Sequence, residues 1–123
     1  MNTFIIPDDQ KNFSTKDVQT ITGMTKDALR YYERLNLLGP IARNANNYRQ
    51  YSKQNLERLQ MVQIFRRLGL DLARLANTDV HDSPQKKIAE LQDYQQTVSQ
   101  EITRLTDMQN FLAQKIAYFQ TLE

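Results

Sequence analysis

The sequence predicts a mainly α-helical fold, in which a small winged helix-turn-helix head precedes one long C-terminal helix. Two short amphipathic segments with a glycine between them occupy residues 14–35. A stretch rich in arginine, asparagine and tyrosine at 43–51 is typical of a small β-hairpin, or wing. After Pro84 the chain contains no further proline or glycine and repeats apolar residues at helical spacing, which indicates a continuous helix.

The composition excludes several classes of protein. The chain contains no cysteine and one histidine, His81, so disulfides, a metal site and a cofactor are not expected, and His81 is interpreted as a loop residue. No histidine–nucleophile pair, glycine-rich phosphate loop or carboxylate constellation indicates an enzyme. Because there is neither an apolar stretch of membrane-spanning length nor a secretion signal, we expect a cytoplasmic protein without a membrane partner.

Charge and composition suggest three segments. Residues 1–12 lack periodicity and are interpreted as a mobile or loosely docked arm, 13–80 as the head, and 81–123 as a linker and dimerisation helix. Residues 14–80 carry a net charge of +5, whereas residues 81–123 carry −2. Unless so few charges are unevenly placed by chance, this asymmetry suggests that the head binds a polyanion and the tail binds protein.

The head is predicted to begin with two short helices. Ser14 and Asp17 can cap the first, whose apolar face contains Val18, Ile21 and Thr22 and which Gly23 ends. Thr25 precedes a second helix from Lys26 to about Leu35. Its predicted core face contains Leu29, Tyr32 and Leu35, and its predicted outer face contains Lys26, Asp27, Arg30, Tyr31 and Arg34.

The rest of the head is predicted to contain the wing and a third helix. Asn46 and Asn47 can supply the positive φ angles of a tight hairpin turn. Ser52 can cap a helix that Gly69 ends, and Asp71 can cap a short helix that runs through Leu75. The core face of the third helix is predicted to contain Leu56, Leu59, Phe65 and either Val62 or Gln63.

The C-terminal helix is predicted to begin at Ser83-Pro84, where a capping side chain precedes a proline in the first helical position. A helix of residues 84–121 is roughly 57 Å long at 1.5 Å per residue. Its seam alternates by three and four residues and is predicted to pair with a second copy of the chain. The seam consists of Ile88, Leu91, Gln95, Val98, Ile102, Leu105, Gln109, Leu112, Ile116 and Phe119.

Residues 13–70 resemble the DNA-binding domain of MerR-family transcriptional regulators along their whole length. The densest matches are LRYYE at 29–33, Gly-Pro at 39–40 and YRxY at 48–51. The run LxxKIAYF at 112–119 is similar to the dimerisation helix of a branch that includes regulators of aldehyde and nitrosative stress. Two positions depart from the pattern. Ile64 aligns with a cysteine that this branch often carries. Asn47 stands where the wing commonly has glycine, and asparagine tolerates the left-handed backbone conformation that glycine adopts there.

The resemblance implies a regulator that binds double-stranded DNA through the second helix and the wing. Arg30 is expected to contact a guanine or a phosphate, while Lys26 or Asp27 supplies sequence preference. Arg43, Tyr48 and Arg49 are expected to hold the DNA backbone. The full expected DNA-binding set is Ser14, Thr25, Lys26, Asp27, Arg30, Tyr31, Arg43, Tyr48 and Arg49.

Several assignments stay open at this point. The basic residues of the second helix can be solvated charges instead of DNA contacts, and Arg66 and Arg67 can serve either phosphates or the end of their helix. Of Tyr31 and Tyr32, one is expected to pack and one to meet a phosphate, with Tyr32 favoured inward. Tyr48 or Tyr51 can instead pack at the base of the wing. Met108 and Phe111 in the tail are expected to be packing residues.

The resemblance also implies antiparallel pairing of the C-terminal helices. Pairing Ile102 with Leu105 of the partner subunit would bring Gln95 beside Leu112 of the partner subunit and Gln109 beside Val98 of the partner subunit, so that the two glutamines restrict the register. A two-fold dimer predicts a pseudo-palindromic operator, and family members distort promoter DNA to realign it for RNA polymerase. The alternative is a coiled-coil adaptor whose helix-turn-helix-like head binds protein.

Overall fold

The computed structural model describes residues 3–76 and 82–123. The elements are, in chain order, β1 (Asn12–Phe13), α1 (Thr15–Thr22), α2 (Lys26–Arg34), β2 (Ala42–Arg43), β3 (Arg49–Ser52), α3 (Lys53–Leu68), α4 (Ala73–Ala76) and α5 (Pro84–Gln120). The chain divides into two compact units, residues 1–81 and 82–123, which we call the head and the tail. The expectation for His81 lies outside the described residues.

The predicted fold class is confirmed: the protein is mainly helical, with a small antiparallel sheet and a long C-terminal helix. The hairpin pairs β2 with β3, and Arg43 lies opposite Arg49. The sequence did not predict β1, which pairs with the other edge of β3 and places Phe13 opposite Tyr51. The sheet therefore has three strands in the order β1-β3-β2, with β3 in the centre.

The predicted helix starts are confirmed by their capping bonds. The Asp17 backbone N–H donates to Ser14 Oγ, and the Ser14 backbone N–H donates to the Asp17 carboxylate, each over 3.0 Å. Ser83 caps α5 directly before Pro84, and Asp71 accepts a hydrogen bond from the Ala73 backbone at the start of α4. Local sequence is sufficient to place these boundaries because a cap and its partner are three residues apart or fewer.

The wing turn uses one residue with positive φ and not two. Asn47 has φ 65°, whereas Asn46 keeps a negative φ. The Asn44 side chain accepts hydrogen bonds from the backbone N–H groups of Asn46 and Tyr48 and so closes the loop. This arrangement is the three-residue hairpin loop in which a type I turn is followed by a left-handed residue.

The core of the head contains Leu29 and Tyr32 of α2, as predicted, but the inward assignment of Leu35 is wrong. Leu35 is 43% exposed, because α2 ends at Arg34 and Asn36, with φ 59°, redirects the chain. The next two residues, Leu37 and Leu38, are buried in its place.

The third helix buries the predicted face and one polar residue that the sequence analysis missed. Val62, and not Gln63, is the fully buried member of the pair left open. Asn55 is 1% exposed, and its side-chain amide donates to the carbonyls of Leu38 and Pro40 at 2.7 and 3.1 Å. The loop between α2 and the wing is therefore hydrogen-bonded directly to α3.

The N-terminal segment is docked on the head and not free of it. Lys53 Nζ donates to the Asp8 carbonyl at 2.8 Å, and Gln60 Nε2 donates to the Phe4 carbonyl at 3.0 Å. Together with β1, these bonds hold residues 4–13 along the sheet and α3. Ile5 remains 87% exposed, so the docking depends on backbone groups more than on apolar burial.

In the tail, α5 has no buried residue along its 37 positions. Within residues 3–76 and 82–123, no helix combines the length and apolar character that a membrane span needs.

Candidate nucleic-acid interface

The head contains a groove of about 670 Å³ between the start of α1, the first half of α2 and the wing. Within the part of the chain that the structure describes, five basic residues line it and no acidic residue does; the five are Lys16, Lys26, Arg30, Arg43 and Arg49. Arg49 is paired with the Glu33 carboxylate outside the lining, and five cations that converge on a concave surface with one such pair still produce a locally positive potential. This groove is therefore suited to a polyanion.

The groove brings together most of the residues that the sequence analysis selected. Six of the nine line it, namely Ser14, Lys26, Arg30, Arg43, Tyr48 and Arg49. Thr25, Asp27 and Tyr31 do not line it, although all three are exposed in the head. Whether each of the nine contacts DNA stays a prediction.

The beginning of α2 presents the two cations of the predicted recognition helix. Thr25 Oγ1 accepts a hydrogen bond from the Ala28 backbone at 3.1 Å and so fixes where the helix starts. Lys26 and Arg30 follow four residues apart on the exposed side, while Leu29 between them is fully buried. Burial of Leu29 thus fixes the direction in which the two cations point.

The wing contributes two arginines and a tyrosine to the groove. Arg43 Nη1 donates to the Asn47 carbonyl at 2.9 Å, and Arg49 Nε donates to a carboxylate oxygen of Glu33 at 2.7 Å. Tyr48, beside the turn, is 69% exposed. All three residues thus line the groove.

The paired tyrosines of α2 separate as helical phase favours. Tyr32 is buried and accepts a hydrogen bond from Arg66 Nη1 at 2.6 Å, while Tyr31 stacks on it at 5.8 Å and is 46% exposed. Arg66 also lies over the Tyr32 ring. Arg66 thus links the end of α3 to α2, a role that differs from the two left open for it, and whether it also contacts phosphate stays a prediction.

Of the two wing tyrosines, Tyr51 is the one that packs. It is fully buried, and this burial raises the pKa of its phenol, as does the nearby Glu33 carboxylate, while Thr15, Arg49 and Arg30 act in the opposite direction. The phenol therefore lies where α1, α2 and β3 meet.

Several groove residues lie outside the set predicted from the sequence. Lys16 and Gln19 of α1, Asn44 of the wing and Gln50 of β3 also line the groove. The spacing of Lys16 and Gln19, three residues apart in a capped helix, places them on one face and is the signal that could have identified them. Nothing local in the sequence indicates Asn44 or Gln50, because their position depends on how the hairpin packs.

The tail contains the predicted seam as one exposed stripe. Seven apolar seam residues are between 51% and 60% exposed, namely Ile88, Leu91, Ile102, Leu105, Leu112, Ile116 and Phe119. Gln95 and Gln109 interrupt the stripe and are exposed as well, while Val98 is partly exposed. Met108 and Phe111, expected to pack, are 49% and 56% exposed within the single chain.

Comparison with protein families identifies a match over residues 13–78 to the model described as MerR HTH family regulatory protein. The HTH-type transcriptional regulator CueR of Escherichia coli O6:H1 is 32% identical over 101 residues, which cover 78% of this chain and 75% of that protein. The Multidrug-efflux transporter 2 regulator of Bacillus subtilis is 26% identical over 89% of this chain, but the match spans only 40% of that regulator.

Solved structures are similar in fold. HiNmlR, described as a MerR family regulator lacking the sensor domain and bound to promoter DNA, superposes with a TM-score of 0.66 at 20% identity, covering 89% of this chain and 91% of that one. The N-terminal part of the Bacillus subtilis multidrug transporter activator, MtaN, gives a TM-score of 0.58 at 26% identity, with 85% and 97% covered. At 20% identity, the first of these comparisons supports the fold alone.

Proposed function

Because the chain belongs to the MerR family of helix-turn-helix regulatory proteins, we propose that it binds a pseudo-palindromic promoter operator as a homodimer and controls transcription there. The chain is a DNA-binding transcriptional regulator, and members of this family are not enzymes. The observation that supports the details most strongly is the groove, which five cations line and, among the described residues, no acidic residue lines. A protein-binding adaptor would not require this concentration of positive charge.

In the proposed complex, α2 lies in the major groove of DNA. Arg30 contacts a guanine edge or a phosphate, and Lys26 and Asp27 at the start of the helix select neighbouring bases. Thr25 and Tyr31 reach the adjacent backbone. Ser14 offers the exposed N-terminus of α1 to a phosphate, an arrangement that the helix dipole favours.

The wing supplies affinity more than specificity in this proposal. Arg43, Tyr48 and Arg49 contact the sugar-phosphate backbone beside the groove that α2 reads. Because these contacts neutralise phosphates, they release counterions, and affinity decreases steeply as salt increases.

Dimerisation is proposed to occur through α5. Seven apolar residues that are half-exposed on one helix face are an incomplete interface, which a second copy completes. We propose the antiparallel register in which Ile102 meets Leu105 of the partner subunit. The two heads then carry the symmetry of a two-part operator.

The finer placement within the family is also a proposal. The tail motif at 112–119 is similar to the dimerisation helix of the branch that includes regulators of aldehyde and nitrosative stress. Ile64 stands at the position of the cysteine often found in that branch, and the chain contains no cysteine. Sensing in this protein therefore does not use a thiol. We propose boundaries of 13–80 for the DNA-binding domain and 81–123 for the linker and dimerisation helix. The proposed site of action is a promoter, where RNA polymerase also binds. Because the chromosome of the bacterial relatives lies in the cytoplasm, we propose that this protein acts there.

The test is binding of the purified protein to its own upstream promoter DNA across a salt series. Arg30→Ala should weaken binding by about 1–3 kcal/mol, because it removes a base-edge or phosphate contact. Arg34→Ala is the matched control, since it removes the same charge from the same helix at a position outside the groove. Salt-independent binding, or no binding by a folded dimer to any duplex, would favour the adaptor instead.

A further inference from the structure

A half-buried ion pair joins the recognition helix to the wing and involves a residue outside the expected DNA-binding set. Glu33, in the last turn of α2, accepts a hydrogen bond from Arg49 Nε at 2.7 Å. The two side chains are 29% and 23% exposed, respectively. Partial burial distinguishes this pair from the fully solvated ion pairs of protein surfaces, whose energetic contribution is small.

The partner of Glu33 lies beside a second cation. Arg43 and Arg49 are directly opposite each other in the β2–β3 ladder, so their side chains extend from the same face of the wing. Like charges in this position repel each other and destabilise a hairpin. A carboxylate bonded to one of the two arginines offsets that repulsion.

Each of the two arginines is bonded through only part of its guanidinium group. Arg49 uses Nε for Glu33, and Arg43 uses Nη1 for the Asn47 carbonyl. Within residues 3–76 and 82–123, the two terminal nitrogens of Arg49 have no hydrogen-bond partner, and both arginines line the groove. The bonds that orient these side chains therefore leave N–H groups available for an anion. A guanidinium group has five N–H donors, enough to hold a carboxylate and a phosphate at once.

We propose that Glu33 is a positioning residue that holds Arg49 beside Arg43, so that the wing presents a paired-arginine clamp to one stretch of DNA backbone. Glu33 does not itself contact DNA. This inference rests on the proposed function and adds Glu33, which affects DNA binding through Arg49. It also explains the presence of the Glu33 carboxylate near a surface that is proposed to bind a polyanion, where a free negative charge would weaken binding.

The inference is tested with Glu33→Gln, which keeps the shape of the side chain and removes its charge. If Glu33 were only a nearby negative charge, its removal would strengthen binding to DNA. The positioning role predicts the opposite, a weakening of about fivefold to tenfold for the upstream promoter duplex at fixed salt. Glu57→Gln is the matched control, because Glu57 is an exposed acid of the same head on α3 and does not line the groove.

A double-mutant cycle separates positioning from general stability. In an Arg49→Ala background, Glu33→Gln should cause no further loss of DNA affinity, because the side chain through which it acts is gone. Thermal melting of each variant shows whether the head is folded at the temperature of the binding assay. If Glu33→Gln does not fold, Glu33→Asp replaces it, since aspartate keeps the charge but is one methylene too short to reach Arg49 and should also weaken binding.

The outcomes distinguish this inference from the proposed function. Normal binding by the wild-type chain, together with equal affinities of Glu33→Gln and Glu57→Gln, would overturn the positioning role and leave the regulator intact. Additive losses in the cycle would also overturn it, because they would show that Glu33 acts independently of Arg49. A folded wild-type chain without salt-dependent DNA binding would overturn the proposed function, and this inference with it.

Discussion

The head and the tail use apolar residues in opposite ways. Leu29, Leu56, Leu59 and Val62 of the head are fully buried within the single chain. The helix of the tail is longer than any helix described in the head, and leucine and isoleucine are about as frequent in the tail as in the head, yet none of the residues of this helix is buried. The head therefore stabilises itself, whereas the apolar face of the tail becomes useful only when another molecule covers it.

This difference separates two kinds of sequence signal. Apolar residues that recur over 16 residues in α3 meet neighbouring elements, so their pattern describes an internal core. The same periodicity over the 37 residues of α5 exceeds what a head of this size can cover, so the pattern predicts an interface with another molecule. The length of a periodic segment, and not its hydrophobicity, distinguishes the two.

The largest expected effect is the loss of the proposed dimer in Ile102→Glu. A charge in the middle of the seam would be buried without a partner, and two-fold symmetry would introduce it twice, at a cost of about 4 kcal/mol or more, roughly a thousandfold in the dissociation constant. Sedimentation equilibrium measures the change. Gln100→Glu, on the opposite side of the helix, should leave the dimer intact, and equal effects of the two variants would show that the seam is not the interface.

The next largest expected effect is a loss of stability of the head without an effect on the tail. Leu59→Ala leaves a cavity in a fully buried site and should lower the free energy of unfolding by about 3 kcal/mol, independently of protein concentration. Leu35→Ala is the matched control, because Leu35 is largely exposed; it should cost much less in the same denaturant titration. Similar losses for both variants would contradict the burial of Leu59 and the exposure of Leu35.

The smallest expected effect is a pH dependence of the unfolding free energy, which should arise in the head and not in the tail. The backbone N–H of Ser14 holds the pKa of Asp17 below its ordinary value, so this stabilisation is present above the pKa of the unfolded chain and is lost as the pH falls through the lowered pKa. Asp17→Asn should remove that pH dependence and cost about 0.5–1 kcal/mol at pH 7, as loss of a capping bond does. Denaturant titrations of both proteins between pH 2 and pH 7 measure the free energy of unfolding and its pH dependence.

The tail provides the control for that titration. Arg104 bonds to Glu101 on the solvated surface of α5 and lowers the pKa of this carboxylate too. Surface pairs of this kind contribute little to stability because water and salt screen them. Glu101→Gln should therefore leave the unfolding of the head unchanged at every pH, and a pH dependence that disappears in Glu101→Gln instead of Asp17→Asn would reverse the assignment.

The features that the sequence predicted correctly depend on neighbours in the chain. Ser14 with Asp17, Thr25, Ser52 and Ser83 mark helix starts through bonds that span three residues, and the alternation of apolar residues defines α3 and α5. Lys26 and Arg30 of the groove were found by the same reasoning, since their spacing on one helix is fixed by the helical period.

The features that the sequence did not predict depend on contacts between distant residues. The strand β1 has only two residues, and it forms because β3 offers a free edge to Phe13. Leu35 was placed inward because helical phase was extended one residue beyond the end of α2. The bonds of Asn55 to Leu38 and Pro40, and of Glu33 to Arg49, join positions at least fifteen residues apart, for which periodicity contains no information.

The central position of β3 has a mechanical consequence. Arg49 and Tyr51 lie two residues apart on this strand and therefore on the same face, one at the basic groove and the other fully buried in the core. Because β1 and β2 hold both edges of β3, the wing cannot tilt without disturbing the packing of Tyr51. In the proposed complex, a mismatch between the spacing of the phosphates and the distance from α2 to the wing would therefore be accommodated by the double helix, which bends at an energetic cost that depends on its base sequence.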